Sequence, residues 1–258
     1  MEGSGTGETA APFADLLILQ AGAARLGITL SATQLGHFRQ YGALLLETNE
    51  RMNLTAITDP AQVQTLHFLD ALTLVPTIRA WCATAGRDDP TLLDVGSGAG
   101  VPGIPLKIAL PELRVTLLDA TGKRVRFLQE TIAALGLPGI GAVQGRAEEL
   151  GRDHEWREQF DLVIGRALAR LPTLVEWCLP FARPGGLLLA PKAGDLAAEV
   201  SQGERAAALL GGSVRGLRSV SLDELPGRVI VAIDKLAATL PRYPRGAGLP
   251  TKEPLGNE

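Results

Sequence analysis

The stretch Leu92-Leu93-Asp94-Val95-Gly96-Ser97-Gly98-Ala99-Gly100-Val101-Pro102-Gly103 decides the fold. An apolar pair and an acid lead into three glycines that alternate with small residues. This reads as a buried strand ending in a glycine loop, with a helix beginning just beyond. Glycines at that place let backbone approach a ligand where side chains would block it.

Downstream of the loop the hydrophobic period alternates. Strands are expected over 91–95, 114–119, 140–144, 160–165 and 186–190, with helices near 102–110, 121–135, 146–151, 171–182 and 195–210. Strands that alternate with helices imply a parallel, doubly wound α/β sheet. Two further strands, 213–220 and 227–234, have only a short turn around Leu222–Gly227 between them and should form an antiparallel edge pair. Arg183-Pro184-Gly185-Gly186 reads as a turn before strand 186–190.

Upstream the pattern is helical. Residues 13–27 place Phe13, Leu16, Leu17, Leu19 and Leu26 at mostly helical spacing, with Gly27 as a stop. Ser31 followed by Gln34 is a capping-box pattern opening a helix to about Glu50. Asp59-Pro60 opens another, expected to run unbroken through about Trp81. The organisation expected is a disordered tail over 1–12, a helical layer over 13–82, an α/β domain over 91–236 and an extended C-terminal tail over 237–258, rich in Pro and Gly.

Composition narrows the function classes. At 46% apolar and 21% charged, the 258-residue chain is ordinary for a soluble globular protein. Its apolar runs are too short to span a bilayer, and its N-terminus lacks the basic start and apolar core of a signal peptide. A cytoplasmic protein is expected. Cys82 and Cys178 form no CxxC pair and have no His at ligand spacing, so no metal site is expected. The net charge of -3 speaks against bulk electrostatic binding of long nucleic acid but leaves room for a local basic face.

Two frames fit the glycines. Gly96-x-Gly98-x-Gly100 starts at the strand end, and Gly98-x-Gly100-x-x-Gly103 matches a dinucleotide fingerprint two residues later. Both put Asp119 at the end of the second strand, where an acid can accept from ribose hydroxyls. A pyrophosphate needs free N–H groups at the helix start, and Pro102 and Pro105 remove two of them. S-adenosyl-L-methionine has no phosphate; it needs close backbone approach and carboxylates, which Asp94, Gly96, Gly98, Gly100 and Asp119 supply. The residues favour the methyl donor over a dinucleotide.

Several charged residues have both a functional and a structural reading. Arg166, at the carboxyl end of the fourth strand, can hold a donor carboxylate or an RNA phosphate, or can pair with Asp94 or Glu148. Lys123 and Arg126, with Arg124 on another face, form either a phosphate-contacting surface or solvated helix charges. Lys192 would reach the cleft rim. Asn53 can read a base edge or cap a turn. His67 and Asp70 share a helix face, where a packed His with a neighbour is the plainer reading. Arg242, Tyr243, Arg245 and Lys252 combine cations with an aromatic ring, which suits RNA stacking and phosphate contact, or a tail folded back on the helical layer.

The run Leu93–Leu106, containing Val101-Pro102-Gly103-Ile104-Pro105-Leu106-Lys107, resembles the signature of the bacterial 16S ribosomal RNA guanine-N7 methyltransferases, also called glucose-inhibited division protein B. Matching segments are Asn53-Leu54-Thr55, His67-Phe68-Leu69-Asp70, Leu118-Asp119-Ala120 with Gly122-Lys123-Arg124-Val125, Arg146-Ala147-Glu148, Arg166-Ala167 and the tail from Tyr243 to Leu255. In the tail, Arg245 is followed unusually by Gly246. The resemblance implies a class I S-adenosylmethionine-dependent methyltransferase fold (a Rossmann-like doubly wound sheet) with an N-terminal helical extension. It implies 16S ribosomal RNA, free or in the small ribosomal subunit, as partner, and no membrane; the chain is expected to act as a monomer. By motif position, Gly96 and Val101 would line the donor pocket and Ala120-Thr121 would follow Asp119 on the ribose. Ala147 and Glu148 would lie along the adenine, Arg166 would close the site, and His67 and Asp70 would face the RNA.

Guanine N7 offers a lone pair without first losing a proton, so positioning and electrostatics suffice and no general base is required. The segment Gly165-Arg166-Ala167-Leu168 agrees, lacking the Asn/Asp-Pro-Pro-aromatic motif of exocyclic-amine methyltransferases and the Pro-Cys nucleophile of cytosine-C5 enzymes. Other readings are a methyltransferase for a different RNA, a protein or a small molecule, and a non-catalytic RNA-binding assembly factor. The intact Asp94, loop glycines and Asp119 count against the last.

Overall fold

A computed structural model of the chain describes residues 12–194 and 196–257. The tail expected over 1–12 therefore lies, up to Ala11, outside the described residues, as does Asp195, where a helix is expected to begin.

Seven strands form one sheet in the order β3-β2-β1-β4-β5-β7-β6. β1 (Thr91–Val95), β2 (Arg114–Asp119), β3 (Ile140–Gln144), β4 (Phe160–Gly165) and β5 (Ala182–Ala193) are parallel. β7 (Arg228–Lys235) is antiparallel to both β5 and β6 (Gly212–Ser219). The antiparallel pair expected at the edge is present, with β7 inserted between β5 and β6. The central strands are buried on both faces, and their side chains alternate between two cores as a two-residue period requires. Leu92, Leu117, Leu162, Ile164, Leu187 and Leu189 face one core; Leu93, Leu118, Val163 and Leu188 face the other. The turn expected at Arg183–Gly186 is absorbed into β5 as an irregularity: Phe160 pairs with Ala182, and pairing resumes at Leu162 with Leu187.

The helical layer packs on the first core. It begins with α1 (Leu17–Arg25) and α2 (Ala32–Met52). Ser31 caps α2 in a full capping box with Gln34, and Asn53, at φ 50°, ends it in the left-handed region. The unbroken helix expected from Asp59 to Trp81 is instead several pieces. α3 (Pro60–Val63) widens into a π-helical turn over Gln64–Leu69, continues as α4 (Asp70–Leu72), and stops before α5 (Val75–Ala85). Pro76 explains the stop, since its ring clashes with the carbonyl four residues back and it lacks an N–H. Phe68 anchors the π turn in the core, with Phe13, Phe38 and Tyr41 rings at 6.0, 5.1 and 5.6 Å. Phe68 is fully buried, so truncating it to Ala would cost about 3–5 kcal/mol.

The crossover helices are α6 (Gly103–Ala109), α7 (Gly122–Leu135), the short α8 (Ala147–Leu150), α9 (Leu171–Cys178) and α10 (Ala197–Leu209). α9, α10, Tyr243 and Leu255 cover the second core. The tail is not simply extended. Arg157 donates to the carbonyls of Thr239, Leu240 and Tyr243, and Arg152 to that of Pro244. Arg245 pairs with the fully buried Glu176 through Nη2 at 2.7 Å. The short α11 (Leu249–Lys252) then leads back over α9, where Thr173 donates to the Pro250 carbonyl at 2.9 Å.

Candidate functional site

The glycine loop is held at the carboxyl ends of β1 and β2, where open α/β sheets bind ligands. Gly96 and Ser97 N–H donate to the Leu118 carbonyl at 2.7 and 3.0 Å. Gly96, Gly98 and Gly100 have φ of 70°, 56° and 93°, a region where other residues are strained. A Cβ on Gly96 would lie 2.3 Å from Leu168 Cδ1. A Cβ on Gly98 would meet almost nothing, so the backbone there is open to a ligand.

Two carboxylates fix the loop. Asp94 is buried at the end of β1 and accepts from Gly103 N at 2.9 Å, at the first turn of α6. Burial pushes its pKa up to about 7; the Gly103 N–H and the Arg166 charge hold it lower than burial alone would, and the Asp119 charge adds to the rise. The α6 N-terminus is thus closed by Asp94 and two prolines, so a pyrophosphate would meet a carboxylate there rather than free N–H groups. Asp119 accepts from Gly98 N at 3.0 Å on Oδ2 and from Thr121 N at 2.8 Å on Oδ1, with Arg124 Nη1 at 3.7 Å. Each oxygen keeps a lone pair for a further donor.

Beside the loop is a small, mostly apolar cavity of about 190 Å³. Of the residues expected at the donor, Gly96, Ala120, Ala147 and Glu148 line it, together with Val95, Leu118, Gly145, Arg146, Leu168 and Trp177, whereas Asp94, Gly98, Gly100, Val101, Asp119 and Thr121 do not. Gly100 and Val101 are buried behind it in the loop. The open backbone at Gly98 and the apolar wall fit the uncharged adenosine of S-adenosylmethionine; Asp94 and Asp119, both buried, hold the loop and are not part of the cavity lining.

Arg166 is not in the cavity lining. Its structural partner is neither Asp94 nor Glu148, as the sequence suggested, but Asp70: Nε lies 2.9 Å from Asp70 Oδ2, and Nη2 donates 2.7 Å to the Leu66 carbonyl. That carbonyl belongs to the π turn, a distortion that often accompanies functional sites. Asp70 is fully buried, and its other oxygen lies 2.6 Å from Arg228 Nε, in a contact too bent to count as a hydrogen bond. His67 is buried beside them. The Thr55 hydroxyl lies 2.9 Å from Nε2 and the Leu66 carbonyl 3.2 Å from Nδ1, which fits a neutral ring protonated on Nδ1. Burial and the Arg166 charge hold its pKa down at about 4.

These contacts change the expectations for RNA-facing residues. His67 and Asp70 are interior groups whose partners are Thr55, Arg166 and Arg228, because the π turn and the start of α4 that carry them face the α/β domain rather than solvent. Lys192 is tied to the Ala169 carbonyl and Glu199, each at 2.7 Å. Tyr243 is buried, with the Arg242 guanidinium 5.1 Å from its ring centre. Arg245 is spent on Glu176, so neither it nor Tyr243 forms a mobile stacking arm. Asn53, Lys123, Arg242 and Lys252 are exposed. Arg124 leans on Asp119.

Other site residues carry no clear sequence signal. Tyr41 reads as one more apolar position of α2, yet its hydroxyl donates to the Ala99 carbonyl of the loop at 2.7 Å; burial raises its pKa beyond any working range. Trp177 and Leu168 read as helix core and loop, and Arg228 as a strand start. No group of three or more His, Cys, Asp or Glu among the described residues is placed to hold a metal, and no helix among them is long and apolar enough to cross a membrane.

Known proteins match this arrangement. Residues 34–225 match the family model GidB, described as rRNA small subunit methyltransferase G. A protein of Leuconostoc citreum named ribosomal RNA small subunit methyltransferase G is 44% identical over 229 residues, covering 89% of this chain and 94% of the relative. One of the same name from Exiguobacterium is 46% identical over 234 residues, with the same coverage. Among solved structures, a point mutant of MtNAS in complex with S-adenosylmethionine superposes with a TM-score of 0.52 at 14% identity, covering 86% of this chain and 78% of that one. That likeness is one of fold.

Proposed function

The chain belongs to the rRNA small subunit methyltransferase G family, and from that membership and the site geometry we propose that it transfers a methyl group from S-adenosylmethionine to N7 of a guanine in 16S ribosomal RNA. The observation that carries the donor assignment is the Asp94 carboxylate seated on Gly103 N, which closes the helix start to a phosphate and offers a negative charge instead. The family model, spanning helical layer, loop and domain together, supports the RNA assignment. The protein acts as a monomer in the cytoplasm, where its substrate is assembled.

Bound S-adenosylmethionine supplies an electrophilic methyl group on a sulfonium. Gly98, whose missing Cβ leaves open space, would let it approach the backbone, while Gly96 and Gly100 let the loop pack against Leu168 and against Ile104 and Leu128. Asp119 would accept from the ribose hydroxyls through the lone pairs left by Gly98 and Thr121. Ala147, Glu148 and Trp177, which line the cavity, would wall the adenine, with Val101 behind the loop. Asp94, near neutrality in the protein alone, ionises in the presence of a cationic ligand, because a nearby positive charge favours the carboxylate. Arg166, held on the Asp70 side, stands at the acceptor edge as an electrostatic anchor. N7 loses no proton before attack, so no general base is needed; the neutral His67 is a packing and electrostatic neighbour of Arg166, not a proton carrier. Lys123 and Arg124, at the start of α7 directly after Asp119, and Asn53 at the end of α2 extend the RNA-facing rim, with Arg242 and Lys252 on the tail.

The test is methyl transfer from labelled donor onto undermethylated 30S subunits and onto naked 16S RNA, with mapping of the modified base. Label at a guanine N7 is the expected result. Label on an exocyclic amine, or on no RNA, would overturn the reading.

A further inference from the structure

The Arg166–Asp70–Arg228 cluster is the feature that the methyl donor leaves unexplained. One carboxylate stands between two guanidiniums, so the cluster carries a net positive charge. Its arginine side chains are only 16% and 20% exposed and Asp70 is not exposed at all. A buried charge that is left over in this way is costly unless an anion completes it. Arg228 pairs with Asp70 by charge, its Nε 2.6 Å from Oδ1, without an aligned hydrogen bond from that nitrogen among the described residues.

Position says which anion. The donor cavity is built on β1, β2 and the residues after β3, through Val95, Gly96, Leu118, Ala120 and Gly145. Arg228 opens β7 opposite Ala193, the last residue of β5, and so sits at the carboxyl end of the parallel strands. From β1 the order runs through β4 and β5 to β7. With neighbouring strands about 4.8 Å apart, the Arg228 backbone is about 14 Å from β1, on the half of the sheet opposite the donor. An acceptor polynucleotide must cover that half to bring a base to the switch between β1 and β4.

We propose that Arg228 and Arg166, pinned from both sides on buried Asp70, form a phosphate site that grips the RNA backbone beside the target base. The proposal rests on the RNA-methyltransferase reading above. Asp70 is a positioning residue in it: it fixes both guanidiniums and touches no substrate. The chemistry, two guanidinium planes around one anionic group, also suits a carboxylate, so the experiment separates RNA phosphate from the carboxylate of the donor.

The experiment compares wild-type protein with Arg228→Ala and Arg228→Lys in methyl transfer to undermethylated 16S substrate across a salt series, with donor affinity from calorimetry and melting temperature from circular dichroism. Arg228→Ala should raise the RNA KM about tenfold and lower the log–log salt slope by about one, the signature of one lost phosphate contact. Donor affinity should stay within about twofold. Arg228→Lys, which keeps the charge, should keep most of the salt slope and so guards against a mere folding defect. Weakened donor affinity with an unchanged RNA KM would overturn the proposal in favour of the donor carboxylate. A lowered melting temperature with both affinities unchanged would reduce the cluster to a structural ion pair and overturn it too. An active wild type with an indifferent Arg228→Ala sinks this proposal alone; a wild type that methylates no RNA sinks the functional reading and this proposal with it.

Discussion

Asp94 and His67 should tilt the pH dependence of stability in opposite directions. Asp94 in the folded protein has its pKa raised by burial to about 7. Between about pH 4 and pH 7 the unfolded chain has released this proton and the folded chain has not, so Asp94 lowers stability as pH rises through that window. At about 1.4 kcal/mol per pKa unit, the full swing is about 4 kcal/mol. His67 is the mirror case, its pKa lowered to about 4 by burial and the Arg166 charge. Between about pH 6.5 and pH 4 the unfolded chain binds a proton that the folded chain refuses, so stability is lost as pH falls, by about 3 kcal/mol. The two slopes largely cancel in the wild type. Asp94→Asn keeps an acceptor for Gly103 N–H and removes one titration; His67→Gln removes the other. Urea unfolding of all three proteins in half-unit steps from pH 4 to pH 7.5 reads the differences, in which every other titrating group drops out. The stability of Asp94→Asn relative to wild type should climb with pH across this window, and that of His67→Gln should fall. A flat difference for Asp94→Asn would refute the buried, mostly neutral carboxyl; a flat difference for His67→Gln would refute the neutral imidazole.

The same Asp94 makes donor binding pH-dependent: below about pH 7, affinity for a cationic donor should fall, approaching tenfold per pH unit, and calorimetry showing equal affinity at pH 5.5 and 7.5 would contradict it. Gly98→Ala adds one Cβ at φ 56° whose only neighbour within 4 Å is the Gly96 carbonyl at 3.9 Å, so it should cost about 1–2 kcal/mol of stability while donor binding weakens; unchanged affinity in a folded variant would misplace the loop. Tyr41→Phe strips the Ala99 carbonyl of its partner and should cost about 1–3 kcal/mol, with weaker donor binding seen by calorimetry; unchanged values in both would remove Tyr41 from the site. Arg245→Ala leaves the buried Glu176 charge with only the backbone N–H of residue 245, for a loss of about 3 kcal/mol and faster proteolysis of residues after 237; Arg245→Ala with Glu176→Gln, which removes the charge and keeps an acceptor for that N–H, should recover part of that stability, and its failure to do so would point to a role beyond pairing.

What can be read from the residues is what repeats or what is local. The two-residue alternation of Leu92, Leu93, Leu162, Val163, Leu187 and Leu188 marks strands buried on both faces, and Ser31 with Gln34 announces α2 by a contact only three residues long. The loop and Asp119 are legible because glycine spacing and a strand-end acid are sequence patterns. The partners of Arg166 are not. Asp70 lies 96 residues away, and nothing local distinguishes it from a solvated helix acid. The π turn is equally hidden, because a widened helix keeps helical composition; Pro76 alone marks a break, and a single proline kinks some helices without ending them. The tail misleads for a related reason. Cations beside a tyrosine look like an RNA-stacking arm until the buried Glu176, supplied by α9, claims one of them.

The helical layer belongs to the site rather than to its packaging. Tyr41 of α2 holds the Ala99 carbonyl of the glycine loop. The Leu66 carbonyl and Asp70, from the π turn and α4, hold Arg166, and Asp70 also faces Arg228. Each of these polar groups is expensive to leave unmatched in the interior, about 1–3 kcal/mol and more where charged. A domain beginning at β1 would therefore have to solvate the back of its own loop and lose the carboxylate that orients two arginines. The reverse also holds: Asp70 without the domain would be one acid on an apolar helix face. Phe68, between the two halves of that contact, adds the apolar burial that fixes the π turn in place. Two structural layers meet along a seam where each supplies what the other would otherwise bury unpaired, and the proposed phosphate site lies on that seam. A guanine brought there would face an arginine whose position depends on the helical layer and a loop whose shape does too, so coupling between the layers bears directly on methyl transfer.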